Sequence, residues 1–380
     1  MDFTITEDQR HILDTVDRLM RRHYPPEEIR RRDAAHTDCK DMLPVFAKAG
    51  LLALPFPEEY GGLAADRLTA ILVQERLAWH GAIAGIMFGQ LTDFGGMSIL
   101  KFGTEEQRLQ LLPSIIRGEI NLCFALTEPG AGSDAAAAVT SATKTSSGWL
   151  INGRKIWISM ADTSDYLVTM CRSDKGSIGK SGLSTFLIAR NSPGVTMTRL
   201  EKVGNNCMSS WDIGFDNVEV PDSALMGSEG DGMRNMMTTL QYSRTGQAAL
   251  AIGIAQAACD AAKAHALERH QFGHRIADFQ VIKHRLVNMQ MRVEQARLLL
   301  YFASSLIDAR RSCRKEVAQA KVTASEALEY VSRHGMQIQA SFGYSAESDM
   351  QRYWRDARLY TFGEGTNELQ RDMIAREMGL

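Results

Sequence analysis

Apolar residues fall into three successive patterns along the chain. Through about residue 119 they recur at helical spacing. Thr6-x-x-Gln9 reads as a capping box, and Ile12, Leu13, Val16, Leu19 and Met20 then follow three or four residues apart. A second apolar stretch opens near Met42 and ends in the turn-rich run Pro55-Phe56-Pro57-Glu58-Glu59-Tyr60-Gly61-Gly62. Mostly apolar patterns cover 68–79 and 83–100. Thr104-x-x-Gln107 opens another helix carrying Leu109, Leu111, Leu112, Ile115 and Ile116. The run Arg30-Arg31-Arg32 reads as a solvated helix face.

From about 120 to 232 the period changes to two. The segment 149–158 predicts a hairpin, because Asn152-Gly153 can supply the positive φ of a tight primed turn. Further strands are expected at 166–171, 183–188, 195–200 and 211–220, and the glycine-rich run 227–232 closes this region as a linker. Beyond it the chain is helical again. Phe279, Ile282, Leu286, Met289, Val293 and Ala296 form the seam of a bundle helix. The expected fold is therefore α+β and multidomain. It has an N-terminal all-α domain over 1–119, a small middle β domain (barrel or sandwich) over 120–232, and a C-terminal four-helix bundle over 233–380. A length of 380 residues suits two or three such domains.

Composition removes several classes of function. Apolar residues make up 44% and charged residues 23%, as in ordinary soluble globular chains. A formal net charge of −2 argues against nucleic-acid binding through bulk positive charge. No apolar run reads as a membrane span, and the polar N-terminus shows no secretory signal. The six cysteines are scattered, without zinc-ligand spacing, and read as reduced thiols of a cytoplasmic protein with no metal site.

Two stretches carry candidate chemistry. In Phe362-Gly363-Glu364-Gly365-Thr366-Asn367-Glu368-Leu369-Gln370-Arg371 a carboxylate stands between glycines where a loop meets a last helix. Asn367 is expected to cap that helix, with Gln370 completing a capping box. Glu364 reads either as a general base or as a surface glutamate beside a helix start. In Cys123-Phe124-Ala125-Leu126-Thr127-Glu128-Pro129-Gly130-Ala131-Gly132-Ser133-Asp134 a strand-like run breaks into a glycine loop bracketed by hydroxyls. Such a loop can offer N–H and O–H donors to a planar polar ligand or a phosphate, or simply join two strands.

Together these stretches resemble the acyl-CoA dehydrogenases, and so do Pro57-Glu58-Glu59-Tyr60-Gly61-Gly62, Lys155-Ile156-Trp157-Ile158-Ser159, Glu268-Arg269-His270-Gln271-Phe272-Gly273 and Trp354-Arg355-Asp356-Ala357-Arg358. The resemblance spans the full length and is nearest to the short- and medium-chain enzymes. It implies FAD between the β domain and the bundle. Phe124, Leu126 and Thr127 would flank the isoalloxazine, and Trp157 and Ser159 would cover it. Ser133, Thr366 and Glu368 would add contacts, Glu368 standing where several relatives have glutamine. Arg269, Gln271, Phe272, Gln280, Gln337 and Ser341 would hold the FAD of a neighbouring subunit. This implies a homo-oligomer, and the family is usually tetrameric, a dimer of dimers. Trp157 also reads as sheet core, and Arg269 as a solvated charge.

The resemblance further implies dehydrogenation of an acyl-CoA thioester to the trans-2-enoyl-CoA. Glu364 would be the base and flavin N5 the hydride acceptor, with electrons passing to an electron-transfer flavoprotein. Some relatives carry the base on the helix of Tyr242-Ser243-Arg244, where Ser243 cannot serve. Arg244 would lie beside Glu364, or form a helix-end salt bridge. Ser133, Tyr242, Ser243, Arg244, Gly365 and Gln90 would meet the substrate, with Arg376 near its nucleotide end. Asp93, among apolar residues, points to a short or polar acyl group, or else faces solvent. Gly363, where some straight-chain enzymes have tyrosine, would widen the pocket for a branched or ring-bearing chain. The competing readings are a related flavin oxidase or monooxygenase, an enzyme for a carrier-protein-bound thioester, and a flavin-free helical scaffold.

Overall fold

A computed structural model describes residues 4–380. Seven helices come first: α1 (Glu7–His23), α2 (Pro26–Ala35), α3 (Met42–Lys48), α4 (Arg67–His80), α5 (Ala82–Gly89), α6 (Gly96–Phe102) and α7 (Glu105–Ile116). Both capping boxes form. Thr6 Oγ1 accepts from Gln9 N at 3.2 Å while Gln9 Oε1 accepts from Thr6 N at 3.0 Å. Thr104 and Gln107 repeat the pattern ahead of α7. The arginine run is less solvated than expected. Arg31 is exposed beside Glu28, but Arg32 packs over the Tyr24 ring and bonds Asp41, and Arg30 pairs with Asp349. Acceptors from distant elements converge there, and no sequence pattern carries that.

α5 and α6 are joined without a break by a π-helical turn, Gln90–Gly95. The resulting rod, Ala82–Phe102, is long and apolar enough to cross a membrane, contrary to the sequence expectation. In its most apolar 18-residue stretch 83% is buried inside the protein, and it serves as a core helix.

Eight strands follow: β1 (Leu122–Ala125), β2 (Ser141–Lys144), β3 (Trp149–Ser159), β4 (Tyr166–Arg172), β5 (Leu183–Ala189), β6 (Val195–Arg199), β7 (Ser210–Val220) and β8 (Leu225–Met226). They form one sheet in the order β6-β7-β3-β2-β4-β5-β8, with β1 parallel to β4. Asn152-Gly153 is not a hairpin turn. β3 runs straight through it, with a register shift against β7 between Ile151 and Gly153. A Cβ on Gly153 would lie 2.6 Å from Thr140 Oγ1, so the glycine serves close packing inside a bulged strand. The actual turn lies earlier, where Thr145 N donates to Gly148 O at 2.9 Å.

The C-terminal part begins with α8 (Gly232–Glu268), a small hairpin β9 (His270–Gln271) and β10 (His274–Arg275), then α9 (Gln280–Asp308) and α10 (Arg314–Gln339). The short α11 (Ser341–Tyr344), α12 (Asp349–Ala357) and α13 (Asn367–Glu377) complete it. α8, α9 and α10 pack on one another, α13 lies on α10, and α4 packs against α8. Small side chains permit this: Ala248, Ala249, Ala251, Ala255 and Ala258 on α8 are buried against Ile71, Ala324 and Leu328. Met289, Val293 and Ala296 of the expected seam are fully buried. All six cysteines are unpaired and buried.

Candidate active site

Glu364 sits on the loop between α12 and α13 with φ of 57°, a left-handed conformation that costs a non-glycine residue about 1–3 kcal/mol. Several contacts hold it there. Arg244 Nε donates to the Glu364 carbonyl at 3.1 Å, and Gln370 Nε2 donates to the same oxygen at 3.3 Å. Lys321 Nζ, from α10, donates to Gly365 O and to Asn367 Oδ1, each at 2.9 Å. The cap of α13 falls one residue earlier than expected: Thr366 Oγ1 accepts from Leu369 N at 3.2 Å. Asn367 is turned inward instead, bonded to Lys321 and Ser325, and Gln370 is drawn to Glu364 rather than closing a capping box.

Ser243 Oγ donates to Glu364 Oε2 at 2.7 Å. The Ser243 hydroxyl thus favours the ionised form of the Glu364 carboxylate. Burial pushes the Glu364 carboxyl up to about 7. The Ser243 bond, Arg244 and Lys321 oppose that rise, and the Asp93 carboxylate adds to it. Glu364 as a residue is half-buried, while its carboxylate is densely surrounded.

The second stretch is held by an ion pair that sequence reasoning missed. Lys155 Nζ donates to Glu128 Oε1 at 2.7 Å and to Leu126 O at 3.0 Å, with both side chains buried. Glu128 also accepts from Val139 N and Thr140 N, so each carboxylate oxygen is used. Next to this pair, Ile156 N donates to Thr127 O at 2.8 Å, which fixes Thr127 against β3. The following residue, Trp157, has φ of 61° and is 55% exposed. A large aromatic side chain held out of the sheet by strained backbone is not sheet core. Phe124, Leu126, Thr127 and Ser159 are part-buried, and Ser133 is exposed on the loop.

The remaining expected residues are spread over several elements. Tyr242 is part-buried and Arg244 buried on α8, alongside Ser243. Arg244 also lines a groove of about 380 Å³, together with Lys180, Arg234 and Arg314. Arg269, Gln271, Phe272 and Gln280 are exposed on the β9–β10 hairpin and the start of α9. Gln337, near the end of α10, and Ser341, the first residue of α11, are exposed, and the adjacent Phe342 stacks on His265 of α8. Phe272 has φ of 53° and is 90% exposed. Glu368 and Arg376 are exposed on α13. Gln90 is buried, and its amide donates to Leu122 O at 2.7 Å. That bond ties the π turn to β1. Asp93 does not face solvent: it is 1% exposed and paired with Arg67 at 2.5 Å. A Cβ on Gly363 would lie 2.7 Å from Gln247 Nε2, the tip of a flexible side chain.

A buried carboxyl pushed up to about 7 and a polar loop braced by a buried ion pair are the chemical features that the fold sets out. The chain matches the acyl-CoA dehydrogenase N-terminal domain over residues 6–119, the middle domain over 123–218 and the C-terminal domain over 230–379. It is 38% identical to an acyl-CoA dehydrogenase of Bacillus subtilis over 88% of both chains. It is 37% identical to subunit CarC of the caffeyl-CoA reductase–Etf complex of Acetobacterium woodii, over 88% of this chain and 89% of that one. The structure superposes on butyryl-CoA dehydrogenase from Megasphaera elsdenii with a TM-score of 0.96 and 32% identity, over 100% of both chains. The chain belongs to the acyl-CoA dehydrogenase family, and it is an FAD-dependent oxidoreductase.

Proposed function

We propose that the enzyme oxidises the Cα–Cβ bond of an acyl-CoA thioester to the trans-2-enoyl-CoA, with Glu364 removing the α-proton. The observation that carries this is the Glu364 carboxyl pushed up to about 7 while bonded to Ser243. A base poised near the working pH both exists in its ionised form and holds a proton well. A weakly acidic α-proton also needs donors to the thioester oxygen that strengthen as enolate character grows. The Glu364 N–H suits that role, on a backbone fixed by Arg244, Gln370 and Lys321. Bound FAD supplies the acceptor for the hydride equivalent lost from Cβ.

Thr127, Phe124, Leu126, Trp157 and Ser159 would seat the isoalloxazine, with Thr366, Glu368 and Ser133 at its margins. The Glu128–Lys155 pair holds the first of these in place. The cationic groove along α8 would take the phosphates of CoA. Phe272 and the apolar side chains exposed on α9, Val281, Val287, Met291 and Leu298, are what a subunit interface would cover. Arg269, Gln271, Gln280, Gln337 and Ser341 would then reach a partner's FAD in a homotetramer whose domains divide near 119 and 232. The Etf partner of the Acetobacterium relative supports an electron-transfer flavoprotein as acceptor. Unpaired, buried cysteines fit a reducing, cytoplasmic setting.

The test is anaerobic bleaching of the flavin by a panel of acyl-CoA thioesters, beside the Glu364→Gln variant. The wild type should bleach, and the variant should retain FAD and fail to bleach. Normal bleaching by the variant would sink the assignment of the base. Rapid oxygen uptake in place of transfer to an electron-transfer flavoprotein would favour an oxidase.

A further inference from the structure

We propose that the buried Arg67–Asp93 pair is the floor of the acyl pocket and restricts the enzyme to short-chain thioesters. This rests on the reading of Glu364 and the α8 groove given above. The groove sets the direction of the substrate. Its cations, Lys180, Arg234, Arg244 and Arg314, favour the polyanionic end of CoA, and on α8 it runs from Met233 to Arg244. The base is reached at Ser243. A thioester laid this way points its acyl carbons onward along α8, toward Gly246 and Gln247.

That route is closed within one helical turn. A Cβ on Gly246 would lie 2.0 Å from Asp93 Oδ2 and 2.9 Å from Gln74 Oε1. Gly246 is therefore pressed directly on the π turn, and no alkyl chain passes between them. Three residues of helix separate Ser243 from Gly246, roughly 4.5 Å of rise, which leaves room for only a few carbons. To the side, the Gln247 amide lies next to Gly363.

The floor is polar and firmly built. Arg67 donates from Nη1 to Asp93 Oδ1 at 2.5 Å, from Nη2 to Tyr242 O at 2.6 Å, and to Thr245 Oγ1 from both Nε and Nη2. Its guanidinium also lies over the Tyr242 ring, 5.6 Å from the centroid. Gln74 Oε1 is buried without a partner at the same point. A buried ion pair is seldom more stabilising than well-packed apolar residues of the same volume, so stability does not explain it. A fixed polar wall does explain it. A long alkyl tail would have to displace paired charges, and an apolar floor would yield to it.

The experiment titrates the FAD-loaded Glu364→Gln protein with butyryl-, hexanoyl-, octanoyl- and dodecanoyl-CoA, and reads dissociation constants by calorimetry. Wild-type protein is run in parallel for anaerobic bleaching by the same panel. Octanoyl- and dodecanoyl-CoA should bind at least tenfold more weakly than the best short thioester, and should bleach the wild type correspondingly slowly. The Arg67→Ala/Asp93→Ala double variant, which leaves neither charge unpaired, should recover about fourfold in affinity for each methylene that gains burial. Affinity rising steadily through dodecanoyl-CoA, or a folded, FAD-retaining double variant with an unchanged chain-length profile, would overturn the proposal. If the double variant does not fold, the wild-type panel alone decides. Bleaching of Glu364→Gln by butyryl-CoA would instead sink the base assignment, leaving the floor to be judged by the affinities.

Discussion

Ser243→Ala tests how the base is tuned. The hydroxyl donates to Glu364 Oε2 at 2.7 Å and so stabilises the ionised form. A hydrogen bond to a charged group contributes about 1.5–3 kcal/mol, which corresponds to roughly 1–2 pK units. The other charges that bear on Glu364 are unchanged: Arg244 on the same helix, Lys321 on α10 and Asp93 on the π turn. Removing the hydroxyl should therefore carry the carboxyl from about 7 to about 8–9. At pH 7 the ionised share falls from about half to roughly 1–10%, so flavin bleaching should slow roughly 5- to 50-fold. At high pH the gap should close, because the fully ionised variant is the stronger base. Stopped-flow bleaching with a saturating short-chain acyl-CoA across pH 6–10 reads both effects. An unmoved midpoint, or one shifted to lower pH, would refute the reasoning.

Three further outcomes follow from the same contacts. Burial raises Glu364 from 4.5 to about 7, so the fold favours its protonated form. The stability linked to that preference is complete below about 4.5 and is lost as pH rises through 7, about 3 kcal/mol in all. FAD-free wild type should lose Tm relative to Glu364→Gln over that window, as thermal melts will show; parallel curves would contradict it. Lys321→Met strands the Gly365 carbonyl, at about 1–3 kcal/mol, leaves the Asn367 side-chain oxygen to Ser325 alone, and removes a charge that favours ionised Glu364. It should lower Tm and shift the bleaching midpoint to higher pH, and a Tm change with no pH shift would limit Lys321 to a structural role. Trp157→Gly relieves the positive φ, worth about 1–3 kcal/mol, yet should lose FAD. Unchanged flavin absorbance relative to protein after gel filtration would show that the indole does not cover the ring.

The parts that were legible in the sequence are those governed by short-range chemistry. Both Thr-x-x-Gln capping boxes formed because each needs only residues three apart. The helical seam of α9 and the strand periods were readable for the same reason. Errors came where a distant element took over a local signal. Gly153 looked like half of a turn, but Thr140 presses on it within the sheet. Asn367 looked like a cap, but Lys321 and Ser325 claim its side chain, so Thr366 caps instead. Ser243 and Glu364 are 121 residues apart, and Arg67 meets Asp93 only because α4 and the π turn flank α8. No spacing rule carries such pairs. The motifs around Glu364 and Thr127 pointed to a flavin site, while the ion pairs that hold those loops became visible only in three dimensions.

The central claim is that one carboxylate takes the α-proton, and isotope exchange reads that step apart from electron transfer. A saturating short acyl-CoA would be incubated anaerobically in D₂O with enzyme whose flavin is already reduced, and deuterium at Cα followed by mass spectrometry. Wild-type protein should wash deuterium in at a rate that rises with pH through about 7, and Glu364→Gln should show none above background. Equal exchange by the two proteins would contradict it.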